Sequence, residues 1–382
     1  MKSINRNLLL LFAAGIVGVI SLQLIQPLFP LFLESQGASE LEISLVISMA
    51  SLATTVLMIP VGFLMERVGK RRMLIMGFLI WAASSAFLGQ VRDWRVAAPL
   101  YMVYNLAEAF VGPARMAMIS DYSNPANKAT VFGMMSMDWS IGGVFSPPLS
   151  GYLAERAGWQ LPFQVAAVVM FLGLVPILLI KDRAGGGKKE TRLGASAIFR
   201  GEHFAVISLF FVFAFVLSTG QSVIGTILPI YLKNQKGLTL PSIGQFFAGS
   251  SLMSLVGQIP GGWLADRYGR KKIIVGFLLP IPLIFGSWAT ALDPWALLAL
   301  YSLFSGCLSM TGAASLALLS ESFPAELGGE AFSVRMTGFR MGSIVGPLIG
   351  GYLYISLNPR TPFTAAAILF TIGILVIYLI KE

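Results

Sequence analysis

Runs of about twenty mostly apolar residues follow one another from one end of this chain to the other. Each run is long enough to cross a hydrocarbon core of about 30 Å as a helix. Twelve such spans are predicted, at approximately 8–33, 41–65, 73–90, 95–119, 129–154, 161–180, 204–232, 241–264, 272–290, 295–319, 329–354 and 362–380. A chain of 382 residues would by length alone suggest two or three soluble domains, but 56% of it is hydrophobic and only 12% charged. Soluble domains are about one quarter charged, so hydropathy overrides length. The sequence describes an all-α integral membrane protein. The first span follows Lys2 and Arg6 as a signal peptide would, yet it is too long for a signal core and leads straight into further spans, so it is expected to be retained.

Charge placement orients the spans. With a cytoplasmic N-terminus, the cytoplasmic ends and loops hold 18 of the 27 lysines and arginines, and the outer loops hold six. The remaining three, Arg115, Arg335 and Arg340, fall within spans. This bias and an even number of spans put both termini inside a cell membrane. The net charge of +9 then reflects anchoring at the inner leaflet, and no nucleic-acid partner is implied. The single cysteine, Cys307, excludes an intramolecular disulfide, and the single histidine, His203, cannot make a metal site alone.

The longest polar stretch, residues 181–203, reads as a flexible cytoplasmic linker because of its three consecutive glycines and its charges. It separates an N-terminal bundle of six spans, residues 1–180, from a C-terminal bundle, residues 204–382. The two bundles carry the same residues in register. Pro60 recurs as Pro260, Gly62 as Gly262, Gly69 as Gly269, Ser120 as Ser320, Gly142 as Gly342 and Pro147 as Pro347, and Gly151-Tyr152-Leu153 as Gly351-Tyr352-Leu353. Every pair is 200 residues apart. The chain is a duplicated six-helix unit in parallel topology, a plan that in transporters places the substrate between the repeats.

At these residues the sequence resembles the major facilitator superfamily over essentially its whole length. That family's loop between helices two and three carries a pattern like G-x-x-x-D-R-x-G-R-R/K. Gly262, Asp266, Arg267, Gly269, Arg270 and Lys271 fit it fully. Gly62, Glu66, Arg67, Gly69, Lys70 and Arg71 fit it with Glu for Asp and Lys for Arg. A glycine there permits a left-handed turn that ends the helix, and the cations stay at headgroup level. The resemblance implies that the acid pairs with an arginine near the start of helix eleven and latches the cytoplasmic side; Arg335 is the matching candidate for Glu66. A second resemblance lies in spans five and eleven. Gly133, Gly142, Ser146, Pro147, Ser150 and Gly151 follow G-x8-G-x3-G-P-x2-G-G with serine twice replacing glycine, and Gly342, Gly346, Pro347, Gly350 and Gly351 share the spacing. Such small residues let helices approach closely, which accounts for part of the pattern. In helix five the pattern is similar to that of drug–proton antiporters and tilts the expectation towards export.

Ionisable side chains inside a bilayer cost about 2.5–3.5 kcal/mol on insertion scales, so each needs a reason. In span four, Tyr101, Asn105, Glu108, Gly112 and Arg115 follow one another in steps of four and three and share one helical face. The resemblance implies that this helix lines the central cavity. Glu108 lies near mid-membrane and Arg115 two turns closer to the cytoplasm, about 10 Å away and too far for an ideal direct pair. Glu108 is the first candidate for proton exchange, and a structural hydrogen bond to Asn105 or another helix is its alternative role. Asp138 in span five is the second candidate, with a helix-bending structural role as its alternative; its repeat partner is Gly338, so it is not a repeat-wide packing device. Arg340 is placed to neutralise an anionic substrate or a carboxylate. Gln23, Gln26 and Gln221 offer neutral hydrogen bonding in spans one and seven, and Asp121 and Glu321 brace the cytoplasmic loops. Many proton antiporters of the resembled family carry an arginine in the outer half of helix four, and here none precedes Arg115.

These features predict a secondary transporter without cofactor or metal, working by alternating access, as a monomer, on a small-molecule substrate. Proton-coupled export of apolar or cationic compounds is the leading expectation. Proton-coupled uptake or facilitated passage of a small anionic metabolite, clamped by Arg115 and Arg340, is the other. No nucleotide loop, nucleophile constellation or metal cluster points to an enzyme or to ATP-driven pumping.

Overall fold

A computed structural model describes residues 5–123, 128–180, 203–288, 293–324 and 327–380. The expected linker lies outside these residues, apart from His203. All regular structure among them is helical. The first bundle contains α1 (Arg6–Ile25), α2 (Phe29–Ser35), α3 (Glu40–Val68), α4 (Lys70–Leu88), α5 (Trp94–Tyr122), α6 (Lys128–Ala157) and α7 (Gln160–Leu179). There follow α8 (His203–Asn234), α9 (Leu240–Tyr268), α10 (Arg270–Leu278), α11 (Pro280–Ser287), α12 (Pro294–Glu321), α13 (Gly328–Ser356) and α14 (Thr361–Leu379).

The helix ends are written in the sequence. Ser39 and Glu42 form a reciprocal capping box at the start of α3, with the Ser39 amide donating to Glu42 Oε2 at 2.8 Å. Asp93 and Asp293, 200 residues apart, cap α5 and α12, each accepting from backbone N–H groups of its first turn. Two predicted spans are interrupted. The first bends through a 3₁₀ turn at Gln26–Leu28, around Pro27, before α2. The ninth is divided at Leu279 into α10 and α11, because Pro280 has no N–H to continue the ladder. Among the described residues, seven helical segments are long and apolar enough to cross a membrane: Arg6–Ser35, α3, α4, α7, Phe204–Asn234, α12 and α14. Helices α5, α6, α9 and α13 have 29 or 30 residues but dilute their apolar runs with glycine, proline, serine and charge.

Two compact units emerge. One comprises Met1–Gly186 together with Gly237–Ser251, so the first part of α9 belongs with α1–α7. In it α1 lies against α6 and α7, and α5 against α3 and α4. Aromatic side chains seal one end, with Phe32 edge-on to Phe163 at 4.7 Å between ring centroids. The other unit comprises Gly187–Lys236 and Leu252–Glu382, built on α8 against α13 and α14. Its aromatic core includes Trp288 and Phe363, the repeat equivalent of Phe163, 4.7 Å apart.

Glycines make the tightest helix contacts. On α13, a Cβ at Gly342 would stand 2.8 Å from Ser218 Cβ, and one at Gly346 2.6 Å from Ser222 Cβ, so α8 and α13 meet nearly backbone to backbone. Gly350 faces Val223 and Ile227 on the same helix. Pro347 and Gly351 are buried beside them. On α6, Gly142 fits against Val19 and Ile20 of α1 in the same way, and Ser150 donates to the Leu24 carbonyl at 2.5 Å. Gly151 and Pro147 meet Leu240, Pro241 and Gly244 at the start of α9. Gly133 is a correction to the expected packing set. It is exposed, and open space surrounds the position of a Cβ, so no helix packs on it.

Candidate functional site

The first unit encloses a cavity of about 130 Å³ among α1, α4, α5, α6 and α7. Its wall is mainly apolar, with Leu11, Gly18, Phe78 and Val111 among the lining residues, but Glu108, Gly112 and Arg115 also face it. The α5 face expected from sequence therefore exists in its lower half. Glu108 folds its carboxylate back over the helix, so that a Cβ on Gly112 would lie 2.8 Å from Glu108 Oε1. The volume is large enough for several water molecules.

Arg115 is fastened to α6. Its Nη2 is in direct contact with Asp138 Oδ2 on α6 and donates to the Met135 carbonyl at 3.0 Å. Both side chains are largely withdrawn from solvent, with exposures of 19% for Arg115 and 3% for Asp138. The sequence treated these as separate candidates, one for substrate and one for protons; the fold makes them one ion pair. A signal for this was present. Arg115 lies seven residues before the end of α5 and Asp138 ten after the start of α6. At 1.5 Å per residue that places them at similar depths, about 10 and 15 Å from the connecting loop. Gly15 on α1, which sequence reasoning passed over, completes the arrangement: a Cβ there would stand 2.5 Å from Asp138 Oδ2.

The upper half of the α5 face does not join this site. Tyr101 is buried and stacks on Phe29, with centroids 3.6 Å apart and planes at 12°. Asn105 donates to the Tyr101 carbonyl of its own helix at 2.8 Å. Gln23 is buried, and Gln26 sits in the 3₁₀ turn. In the second unit, Gln221 on α8 and Arg340 on α13 are half-buried. The Arg340 side chain makes no hydrogen bond or ion pair with a described residue. Arg335 donates through Nη2 to Ser315 Oγ on α12 at 3.1 Å, while its Nε is buried without a partner.

The two loop motifs have the same internal wiring. Gly69 and Gly269 end α3 and α9 with φ of 93° and 96°, and ψ of 146° and 137°. These are extended left-sided conformations rather than the expected left-handed helical turn. Lys70 Nζ pairs with Asp121 at 2.5 Å, and Arg270 Nη2 with Glu321 at 2.6 Å. Arg71 donates to the Ile177 and Leu178 carbonyls that end α7, and Lys271 to the Tyr378 and Ile380 carbonyls that end α14. The motif thus ties the start of one helix to the C-terminal ends of two others, with cations at negative helix C-termini. Asp266 reaches Arg270 at 3.8 Å. Glu66 and Arg67 are exposed, and Arg267 lies over Trp263 at 5.3 Å. Gly62 lies within α3 with nothing close to it, and Gly262 within α9; the tight approach there belongs to its neighbour Gly261, against Met310 of α12.

A duplicated helical unit with buried charges and a repeated loop motif defines a membrane transporter, and comparison with known proteins specifies which kind. Residues 11–219 and 210–382 match the model of the Major Facilitator Superfamily, so this chain belongs to that superfamily. Its members are transporters and not enzymes. The chain is 26% identical to Multidrug resistance protein MdtG of Rahnella sp. (strain Y9602), over 97% of this chain and 92% of that one. It is 22% identical to the cis,cis-muconate transport protein of Acinetobacter baylyi (strain ATCC 33305 / BD413 / ADP1), over 84% and 81%. Its fold is similar to that of a bacterial homologue of the human lysosomal transporter Spinster, solved in an inward-facing, unoccupied conformation. The TM-score is 0.80 at 16% identity, over 99% of this chain and 98% of that one.

Proposed function

We propose that this transporter exports small apolar or cationic compounds in exchange for protons, and that Glu108 carries the proton. The observation behind this reading is a carboxylate on the wall of a mainly apolar cavity within a membrane bundle. Such a group is costly in hydrocarbon and is retained where it alternates between a proton and a cationic partner. Similarity to a multidrug resistance protein favours export over uptake. One pH unit supplies about 1.4 kcal/mol and 100 mV about 2.3 kcal/mol per charge, each sufficient for a gradient of tenfold or more. In this reading the chain works as a monomer with twelve spans and both termini in the cytoplasm. Glu66 and Arg335 act as a latch made in one state and broken in the other.

Uptake of a small organic anion is the second reading. It draws on the Arg340 side chain, which has no partner among the described residues, and on similarity to a muconate transport protein. Liposomes loaded with a pH dye separate the two. Cationic amphiphiles are expected to drive proton movement with the natural chain and not with Glu108→Gln. Movement evoked by organic anions alone, and lost in Arg340→Gln, would replace export by uptake.

A further inference from the structure

We infer that Asp138 is a positioning residue, the permanently ionised counter-ion that fixes Arg115 at the end of the Glu108 cavity, and not a carrier of protons. Arg115 Nη2 is fastened to α6 twice, by the Asp138 carboxylate and by the Met135 carbonyl one turn earlier. Helix α1 closes over the pair at Gly15, where a Cβ would stand 2.5 Å from Asp138 Oδ2 and 2.7 Å from Arg115 Nη2. Nothing larger than a hydrogen fits there, so neither water nor substrate reaches Asp138 from that side.

Among the described residues, no other group is placed to take over the charge of Asp138. The elements packed on α6 are α1, α5, α7, the 3₁₀ turn and the first part of α9. Of these, α1 has Arg6 as its sole titratable residue, at its far end, and α7, the turn and residues 240–251 have none. Helix α5 brings Arg95 at its far end, then Tyr101, Tyr104, Glu108, Arg115, Asp121 and Tyr122. Helix α6 itself adds Lys128, Tyr152, Glu155 and Arg156 towards its ends. Protonating Asp138 would therefore leave Arg115 as a buried, uncompensated cation. Breaking such a pair from one side is far more costly than removing both partners. Glu108 differs: it faces the cavity and is only half-buried. The role of Arg115 beside a proton-carrying Glu108 rests on the function proposed above, whereas the fixed charge of Asp138 does not.

The test uses the full chain in liposomes, with substrate-evoked proton flux as a function of pH and pH-difference infrared spectra of buried carboxylic acids. Asp138→Asn and Arg115→Gln singly are expected to lose more than tenfold of folded yield or flux. The double variant Arg115→Gln/Asp138→Asn is expected to recover folded yield and to retain proton coupling, with a pH profile displaced from that of the natural chain because the fixed cation beside the Glu108 cavity is gone. The band of a protonated carboxyl in apolar surroundings is expected to vanish in Glu108→Gln and persist in the double variant. A folded double variant without coupling, or a titrating band that survives Glu108→Gln and is lost with Asp138→Asn, overturns the assignment. Should the double variant not fold, the Glu108→Gln spectrum decides alone: a remaining buried titrating band overturns the assignment, and its absence supports it. Full coupling in both Glu108→Gln and the double variant would refute the proton role of Glu108 and leave Asp138 as assigned.

Discussion

Arg115 and Arg335 bridge equivalent helix pairs of the repeat from opposite sides. Arg115 of α5 donates to the carbonyl of Met135 on α6, whereas Arg335 of α13, at the position equivalent to Met135, donates to Ser315 on α12, the equivalent of Arg115. Duplication preserved the contact and moved the cation to the other helix. The first unit supplies its arginine with a carboxylate; the second offers Arg335 a hydroxyl. Each arginine also keeps a buried Nε without a hydrogen-bond partner. A hydrogen bond to a charged group contributes about 1.5–3 kcal/mol. Ser315→Ala is expected to lower the unfolding free energy of the purified protein by that order. Ser315→Asp, which gives Arg335 the counter-ion that Arg115 already has, is expected to raise the unfolding temperature. If Arg335 must be released during transport, the same variant slows turnover. Thermal unfolding in detergent and liposome flux read the two effects separately.

Gly69 and Gly269 have φ of 93° and 96° with extended ψ, a region essentially closed to residues with a Cβ. Alanine at either position is expected to cost about 1–3 kcal/mol in unfolding free energy. Asparagine should rescue neither, because it tolerates the left-handed helical region and not this one. Recovery of stability by Gly69→Asn would show that the turn relaxes to a different geometry.

The Lys70–Asp121 pair is partly exposed, at 32% and 43%, so its own contribution to stability is small, below about 1 kcal/mol. Its role is to fix the start of α4 against the end of α5. Asp121→Asn is expected to leave the unfolding temperature within a degree or two and to reduce flux more visibly. The exchange Lys70→Asp/Asp121→Lys is expected to restore flux. A reversed pair as inactive as the single variant would mean that Lys70 serves something other than Asp121.

Much of the fold was legible because its signals are local or periodic. Each predicted span falls on a helix or a broken pair of helices, and the caps at Ser39, Asp93 and Asp293 lie where the apolar runs begin. The 200-residue register also foretold which glycines and prolines would be equivalent. What stayed hidden depends on rotation about the helix axis and on tertiary partners. Tyr101 and Arg115 lie on one face of α5, yet one is sealed under Phe29 and the other tied to Asp138. Periodicity groups residues on a face but does not say which neighbour covers each turn of it. Counting inwards from the α5–α6 connection would have paired Arg115 with Asp138; nothing comparable would have identified Gly15 as the residue that closes over them. The division of the ninth span at Pro280 was visible as a proline, though a proline inside a span bends it as often as it breaks it, and Pro60 and Pro260 lie within uninterrupted helices.

Glycines of one sequence pattern have opposite consequences. At Gly133 on α6 there is open space where a Cβ would stand, so Gly133→Ala removes only the backbone freedom of glycine and is expected to stabilise the helix by about 0.5–1 kcal/mol. At Gly342 on α13 a Cβ would come within 2.8 Å of Ser218 Cβ and of the Thr219 amide nitrogen. Backbone atoms cannot swing aside as a side-chain tip can, so α8 and α13 must separate. Overpacking of this kind costs about 1–3 kcal/mol, which exceeds the helix-propensity gain. Gly342→Ala is thus expected to lower the unfolding temperature and Gly133→Ala to hold or raise it, measured side by side in the same detergent. Gly342→Leu adds three further heavy atoms at the same contact and is expected to abolish folded protein. Equal tolerance of alanine at both positions would show that α8 and α13 slide past one another freely, and that the glycine spacing on α13 is not what sets their distance.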